Sequence, residues 1–175
     1  MSAYLREVTE RLVAFDTVSS KSNLAAAEFL AERLEAARFR VALQRYERDG
    51  VSKANVVARL GPPEPGGLIL CGHVDTVPFA GQPGWERDPL RFELGAERAF
   101  GRGTSDMKVF LAHCLDAARG LEPAALERPV VCLFTADEEV GCLGAARLVE
   151  ELPALLEETP LPTSAWIGEP TSYRV

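Results

Sequence analysis

Histidine is scarce in this chain, with two in 175 residues. Basic charge is also short: 19 Lys and Arg stand against 26 Asp and Glu, for a net charge of -7. That balance excludes a nucleic-acid partner, because phosphate contacts need a basic face. It also argues against docking on an anionic membrane surface. No apolar run approaches the roughly 20 residues that span a bilayer. The opening, Met1-Ser2-Ala3-Tyr4-Leu5-Arg6-Glu7, has no long apolar core and carries an early acid, so it does not read as a signal peptide. Cysteine pairs of the C-x-x-C kind are missing, which removes zinc knuckles and thioredoxin-like redox sites. Cys71, Cys114, Cys132 and Cys142 read instead as small buried apolar residues, with Cys71 and Cys142 set apart because they lie close to the motifs below. Free thiols fit a reducing compartment, so a cytoplasmic location is the expectation.

Two catalytic signatures are absent as well. Gly101-Arg102-Gly103 lacks the third glycine of a dinucleotide fingerprint, and Ser105 does not sit in a G-x-S-x-G elbow.

What is present is an ordinary globular composition, 47% hydrophobic and 26% charged, at the length of one domain. Leu5, Val8, Leu12 and Phe15 recur at helical spacing and predict a helix over 3–15 capped by Ser2. A second helix is expected over 23–37, with Ser22 or Asn23 as its cap. Strands are expected over 40–44, 55–60, 68–71, 129–134 and 164–167. Two further helices are expected over 106–119 and 143–151. Between them, 78–98 reads as a functional loop holding one hairpin. Helices alternating with apolar strands predict an α/β layer fold with a mostly parallel mixed sheet. Trp166 reads as core. Trp85, in the long loop, reads as packing or as the wall of a cleft. Glu150-Glu151 and Glu157-Glu158 read as solvated charge.

Four segments at expected strand or loop ends concentrate His, Asp and Glu. They are Gly72-His73-Val74-Asp75, Gly101 to Asp106, Asp137-Glu138-Glu139 and Gly168-Glu169. Ligands in open α/β sheets gather at the carboxyl ends of strands, so these distant segments can converge at one edge. His73 and Asp75 are two apart and share a face in extended chain. A carboxylate on the second ring nitrogen would fix the tautomer of a metal-bound His73. Taken singly, each motif also has a plain reading. His73–Asp75 can be a surface pair, Asp106 a helix cap, Glu138-Glu139 an acidic turn, and Glu169 an exposed acid. Adjacent Glu138 and Glu139 can serve one site only if the strand has ended and the chain bends, which Gly141 permits. His113 lies roughly 10 Å along the helix axis from Asp106, too far to share a metal, and reads as structural.

Together, Gly72-His73-Val74-Asp75-Thr76-Val77-Pro78, Gly101-Arg102-Gly103-Thr104-Ser105-Asp106-Met107-Lys108, Thr135-Ala136-Asp137-Glu138-Glu139-Val140-Gly141 and Gly168-Glu169-Pro170-Thr171 resemble the di-zinc aminoacylase/carboxypeptidase family of metallopeptidases. Order and spacing fit over essentially the whole chain. Gly103 to Asp106, Glu138 to Cys142 and Gly168 to Ser172 look most like the branch that deacetylates N-acetylornithine. The resemblance implies a three-layer αβα sandwich of the zinc-dependent exopeptidase type. It implies that His73 and Glu169 bind one zinc, Glu139 the other, and Asp106 both. Asp75 would support His73, and Glu138 would be the general base. Two zinc ions are implied, with cobalt or manganese compatible with the same oxygen and nitrogen donors.

Two departures from the family pattern stand out. Val109 occupies a position that is normally glycine, where a branched side chain could crowd the helix start. The family's second zinc takes a histidine from near its C-terminus, beyond a lid or dimerisation domain, and neither is in these 175 residues. Residues 1–175 are therefore expected to be the N-terminal catalytic, metal-binding portion of a longer enzyme, incomplete without a C-terminal segment. Alone it should hold at most one zinc tightly and be nearly inactive. The whole enzyme is expected to be a homodimer acting on a small N-acyl amino acid. The competing expectation is an inactive metal-binding fragment, or a subunit that another chain completes.

Overall fold

The computed structural model describes residues 1–157 and 159–171, so Glu158 and Ser172 lie outside the described residues. Helix α1 spans Ala3–Ala14, and the Ser2 side chain accepts the Leu5 N–H at 3.0 Å, as the sequence predicts. Helix α2 spans Leu24–Ala36. Ser22 supplies its side-chain bond, accepting the Leu24 N–H at 3.3 Å, while the Asn23 side chain instead ties the helix start to Ala54 by exchanging two bonds with its backbone.

Strands β1 (Arg40–Arg48) and β2 (Val51–Leu60) are longer than expected and form one hairpin. Its two-residue loop is Asp49-Gly50, both with positive φ (53° and 74°). That is the geometry a tight hairpin turn favours, and Asp-Gly is a strong signal for it. The charged stretch around the turn hides the strand ends from a periodicity reading, because polar Tyr46, Arg48 and Lys53 take inward positions there.

Strand β3 (Leu68–His73), the small hairpin β4 (Glu93–Leu94) and β5 (Ala99–Phe100), helix α3 (Lys108–Arg119), strand β6 (Val130–Thr135), helix α4 (Leu143–Leu155) and strand β7 (Ser164–Ile167) follow. The main sheet has the order β1-β2-β6-β3-β7. β3 pairs parallel with both β6 and β7, and β2 pairs antiparallel with β1 and β6. The mixed sheet with helices on both faces is the predicted class.

Side chains alternate across the sheet, and the two faces bury separate cores. Ala54, Val56, Ala58, Cys132 and Phe134 pack with residues of α1, α2 and α3. Val57, Val131 and Leu133 face the other way, against Leu148 and Leu152 of α4 and Leu156. This is a three-layer αβα arrangement.

Other expectations shift. Helix α4 runs past Glu151 and continues through Pro153 to Leu155. Helix α3 begins at Lys108, so Asp106 is in the preceding loop rather than at a helix cap. Trp166 is not core: it is 65% exposed on the edge strand β7. Cys142 is exposed, whereas Cys114 and Cys132 are buried and Cys71 partly so. His113 is an exposed residue of α3, and Val109 is accommodated in its first turn, partly buried. Among the described residues no helix is long and apolar enough to cross a membrane.

One close approach sets where α4 starts. A Cβ on Gly144 would lie 2.0 Å from the Ala136 carbonyl oxygen and 2.9 Å from Asn55 Oδ1. The backbone itself would have to move. Gly144→Ala should therefore destabilise the protein by about 1–3 kcal/mol, as overpacking does. Urea unfolding should show a lower midpoint with an unchanged slope.

Candidate metal centre

The carboxyl ends of β6, β3 and β7 lie side by side, and each is followed by acidic residues or ends in His73. His73 closes β3 and is 1% exposed. Its Nε2 lies 2.8 Å from Asp106 Oδ1, 3.7 Å from Glu169 Oε1 and 3.8 Å from Glu138 Oε2. Two sets of three donors come within 4.8 Å of one another: His73 with Asp106 and Glu139, and His73 with Glu138 and Glu169. The structure thus brings together all five residues singled out for metal binding and base catalysis. It groups them differently from the resemblance, which leaves Glu138 out and joins Glu169 to Asp106.

The sixth, Asp75, is also there, with an altered contact. The other ring nitrogen of His73, Nδ1, bonds the Asp75 backbone carbonyl at 2.9 Å, and the Asp75 carboxylate stands off at 3.7 Å. The carbonyl can only accept, so Nδ1 carries a proton, and Nε2 is the atom that would present its lone pair to a metal. The carboxylate is occupied elsewhere. It accepts the Glu138 N–H at 3.0 Å, the Glu139 N–H at 3.3 Å and the Ser19 hydroxyl at 2.6 Å.

These bonds answer how two adjacent glutamates face one site. β6 ends at Thr135, and Asp137 adopts a left-handed backbone (φ 57°). Gly141 (φ 106°) and Cys142 (φ 57°) turn the chain again, and the Glu138 carbonyl accepts both their N–H groups. Asn55 fixes the approach: its Oδ1 accepts the Ala136 N–H at 2.8 Å and its Nδ2 donates to the Gly144 carbonyl at 2.9 Å. Asn55, Ser19 and the buried Lys108 were not visible as site residues in the sequence. A lone Asn inside an apolar strand was the available signal for the first.

Opposite Glu139, the loop Gly101–Asp106 and the long loop form a cleft of about 280 Å³. Trp85 lines it, and the Arg102 guanidinium stacks 4.7 Å over the Trp85 ring, so Trp85 is cleft wall rather than packing. Glu169 borders a second, open groove of about 900 Å³ that also takes in Phe110 and Trp166. The Asp106–Met107 peptide bond is cis. A Cβ at Gly168 would meet the Phe110 ring at 2.1 Å, so only glycine lets the Glu169 loop sit against α3.

Electrostatically the centre is crowded with acid. Burial, then Asp106, raises the Glu139 carboxyl above its ordinary value. Burial also raises Glu169, with Asp106 and Glu138 adding to it against the opposing pull of His73. Burial would lower His73, but Asp75 and the bond to Asp106 outweigh it and raise it. Lys108 is brought down to about 8 by burial and donates to the Phe15 carbonyl at 2.7 Å. Hard oxygen donors around one imidazole, with no thiolate among them, suit divalent zinc, cobalt or manganese.

A sheet edge carrying one imidazole and clustered carboxylates forms a candidate centre for a divalent metal. Residues 69–174 match the family model described as Peptidase family M20/M25/M40, and the chain belongs to that family. It is 37% identical over 164 residues to the acetylornithine deacetylase of Photorhabdus laumondii, covering 94% of this chain and 40% of that protein. To the acetylornithine deacetylase of Proteus mirabilis it is 37% identical over 166 residues, 95% of this chain and 41% of that one. The chain thus spans about two fifths of the length of these curated relatives. The dipeptidase Dug1p of Saccharomyces cerevisiae shares the fold, with a TM-score of 0.70 at 19% identity over 93% of this chain and 37% of that one.

The raised groups give a pH prediction. Carboxyls raised in the fold keep protons that the unfolded chain has lost, so stability falls as pH rises above the ordinary value of 4.5. A raised His73 acts in the same sense, its contribution being lost as pH rises through its folded pKa. With metal withheld, the gap in Tm between the wild type and Glu169→Gln should shift against the wild type between pH 5 and about pH 8. Added Zn²⁺ should reverse that trend, because ligands bind metal deprotonated. Thermal unfolding at several pH values, with chelator and with zinc, measures both.

Proposed function

We propose that the whole protein is a metal-dependent amidohydrolase that removes the acetyl group from N-acetylornithine. The observation that carries this is the convergence of His73, Asp106, Glu138, Glu139 and Glu169 at one sheet edge. The names of the curated relatives support the substrate.

His73, Asp106, Glu139 and Glu169 would hold the divalent ions of the whole protein. Bound there, the ions would supply Lewis acidity toward the acyl carbonyl and the attacking water. Glu138 takes the proton from that water and delivers it to the leaving amine. Its half-buried side chain beside the cluster suits a group that exchanges protons. Asp75 keeps His73 in one tautomer through its carbonyl and holds both glutamates at the correct angle. The Arg102–Trp85 wall borders the cleft beside Asp106 and Glu139. By the same reading the whole protein works as a cytoplasmic homodimer. A succinyl-diaminopimelate desuccinylase, another aminoacylase or a carboxypeptidase would use the same residues. Turnover by the full-length protein on a panel of N-acyl amino acids and dipeptides distinguishes these.

In the full-length protein, Glu138→Ala should reduce kcat by about 10²–10⁴-fold, the range for a lost general acid–base. Its metal content should stay near normal. Metal loss with turnover retained would exchange the roles of Glu138 and Glu139. The 175-residue chain by itself should bind no more than one zinc tightly, because the two three-donor sets share His73. Metal analysis after dialysis reads that number, and two tightly held ions would refute it.

A further inference from the structure

Beneath the Glu138–Glu139 turn lies a set of buried polar side chains that the sheet edge does not require. Asp137 is fully buried and immediately precedes the two glutamates. Its Oδ1 lies 3.0 Å from Lys53 Nζ and 3.2 Å from Arg48 Nη1, and its Oδ2 accepts the Tyr46 hydroxyl at 3.0 Å. All three partners come from the β1–β2 hairpin. The Lys53 side chain is 1% exposed, and its ammonium also donates to the Ser19 carbonyl at 2.8 Å and the Lys21 carbonyl at 2.7 Å. The ammonium thus has two carbonyl acceptors and stands in ion-pair contact with Asp137. The Ser19 hydroxyl in turn donates to Asp75 Oδ2 at 2.6 Å, and Asp75 accepts the N–H groups of Glu138 and Glu139.

The path Asp137, Lys53, Ser19, Asp75 therefore leaves the turn and returns to it. One end holds the residue before Glu138, the other holds the two peptide N–H groups after it. Two attachments to neighbouring peptide units fix their rotation, which one attachment cannot do. A buried ion pair adds little net stability over a well-packed apolar group of the same volume. What it can add is direction, and here the direction set is that of both glutamates.

We propose that Ser19 and Lys53 are positioning residues for the Glu138–Glu139 turn, acting through Asp75 and Asp137. For turnover this rests on the amidohydrolase reading; for metal binding it does not.

The test uses the full-length protein with Ser19→Ala, Ser19→Thr and Lys53→Met. Each is titrated with Co²⁺ while its ligand-field bands are recorded, and each is assayed on N-acetylornithine. Loss of a group that orients metal ligands typically costs 10–100-fold in affinity or activity. Ser19→Ala should thus weaken Co²⁺ binding about tenfold, shift the bands, and lower kcat about 10–100-fold with little change in KM. Ser19→Thr, which keeps the hydroxyl, should restore most of both. Lys53→Met should act in the same direction, and if it does not fold, Ser19→Ala alone decides. Wild-type Co²⁺ affinity and bands in Ser19→Ala overturn the proposal, whatever the activity. Equal losses in Ser19→Ala and Ser19→Thr overturn it too, since they trace to packing. Should the wild type hydrolyse no N-acyl amino acid while the Co²⁺ readouts change as expected, positioning stands and the function assigned above falls.

Discussion

Like charges must be held together at one edge of the sheet, and most of the surrounding structure answers that constraint. Asp106, Glu138, Glu139 and Glu169 approach a single imidazole without a salt-bridging lysine or arginine among the described contacts of the cluster. Their repulsion favours splaying the loops apart. Each loop is fastened against that tendency by a bond to something rigid. Asn55 in β2 ties Ala136, Asp75 ties the glutamate N–H groups, and Gly168 lets its loop lie flat on Phe110. The energy to oppose repulsion comes from the apolar cores on the two sheet faces, which make strand ends stiff supports.

How much of this the sequence discloses depends on range. Periodicity finds Leu5, Val8 and Leu12 and so finds α1, because helical burial repeats within a few residues. It misses the outer halves of β1 and β2, where Tyr46 to Lys53 mix charge with aromatic and turn residues. The Asp49-Gly50 signal was present there, and a reading keyed to hydrophobicity passes over it. Trp166 shows the opposite error. An aromatic in a short apolar strand reads as interior, but β7 is an edge strand paired only with β3, and nothing among the described residues covers it. Burial is a property of neighbours, and neighbours are a matter of topology.

The site divides in the same way. His73, Asp106, Glu138, Glu139 and Glu169 are legible because each sits in a short motif at a strand end, where α/β sheets gather ligands. Ser19, Lys53 and Asn55 are not, because what they do depends on partners 32 to 89 positions away. Lys108 is the sharpest case. Nothing in the sequence around it signals burial, yet its side chain is buried over Gly103 and bonds a backbone carbonyl.

Asp75 shows why a carboxylate is required at a position that touches His73 only through its backbone. Its two oxygens receive three donors, from Ser19 Oγ and from the Glu138 and Glu139 amides. An ionised carboxylate is acceptor-only, so all its lone pairs suit that surrounding. Asparagine has nearly the same shape but would turn an NH₂ toward at least one of those donors. Two facing donors in a site that is 1% exposed leave both unsatisfied, a cost water cannot relieve. The peptide at Glu138–Glu139 would then be free to rotate, and with it both glutamate side chains. The histidine contact, made by the main chain, would survive the exchange. The carboxylate of Asp75 therefore holds the glutamate turn and its carbonyl holds His73, while its charge also acts on the imidazole, so one residue couples the orientation of the two halves of the site.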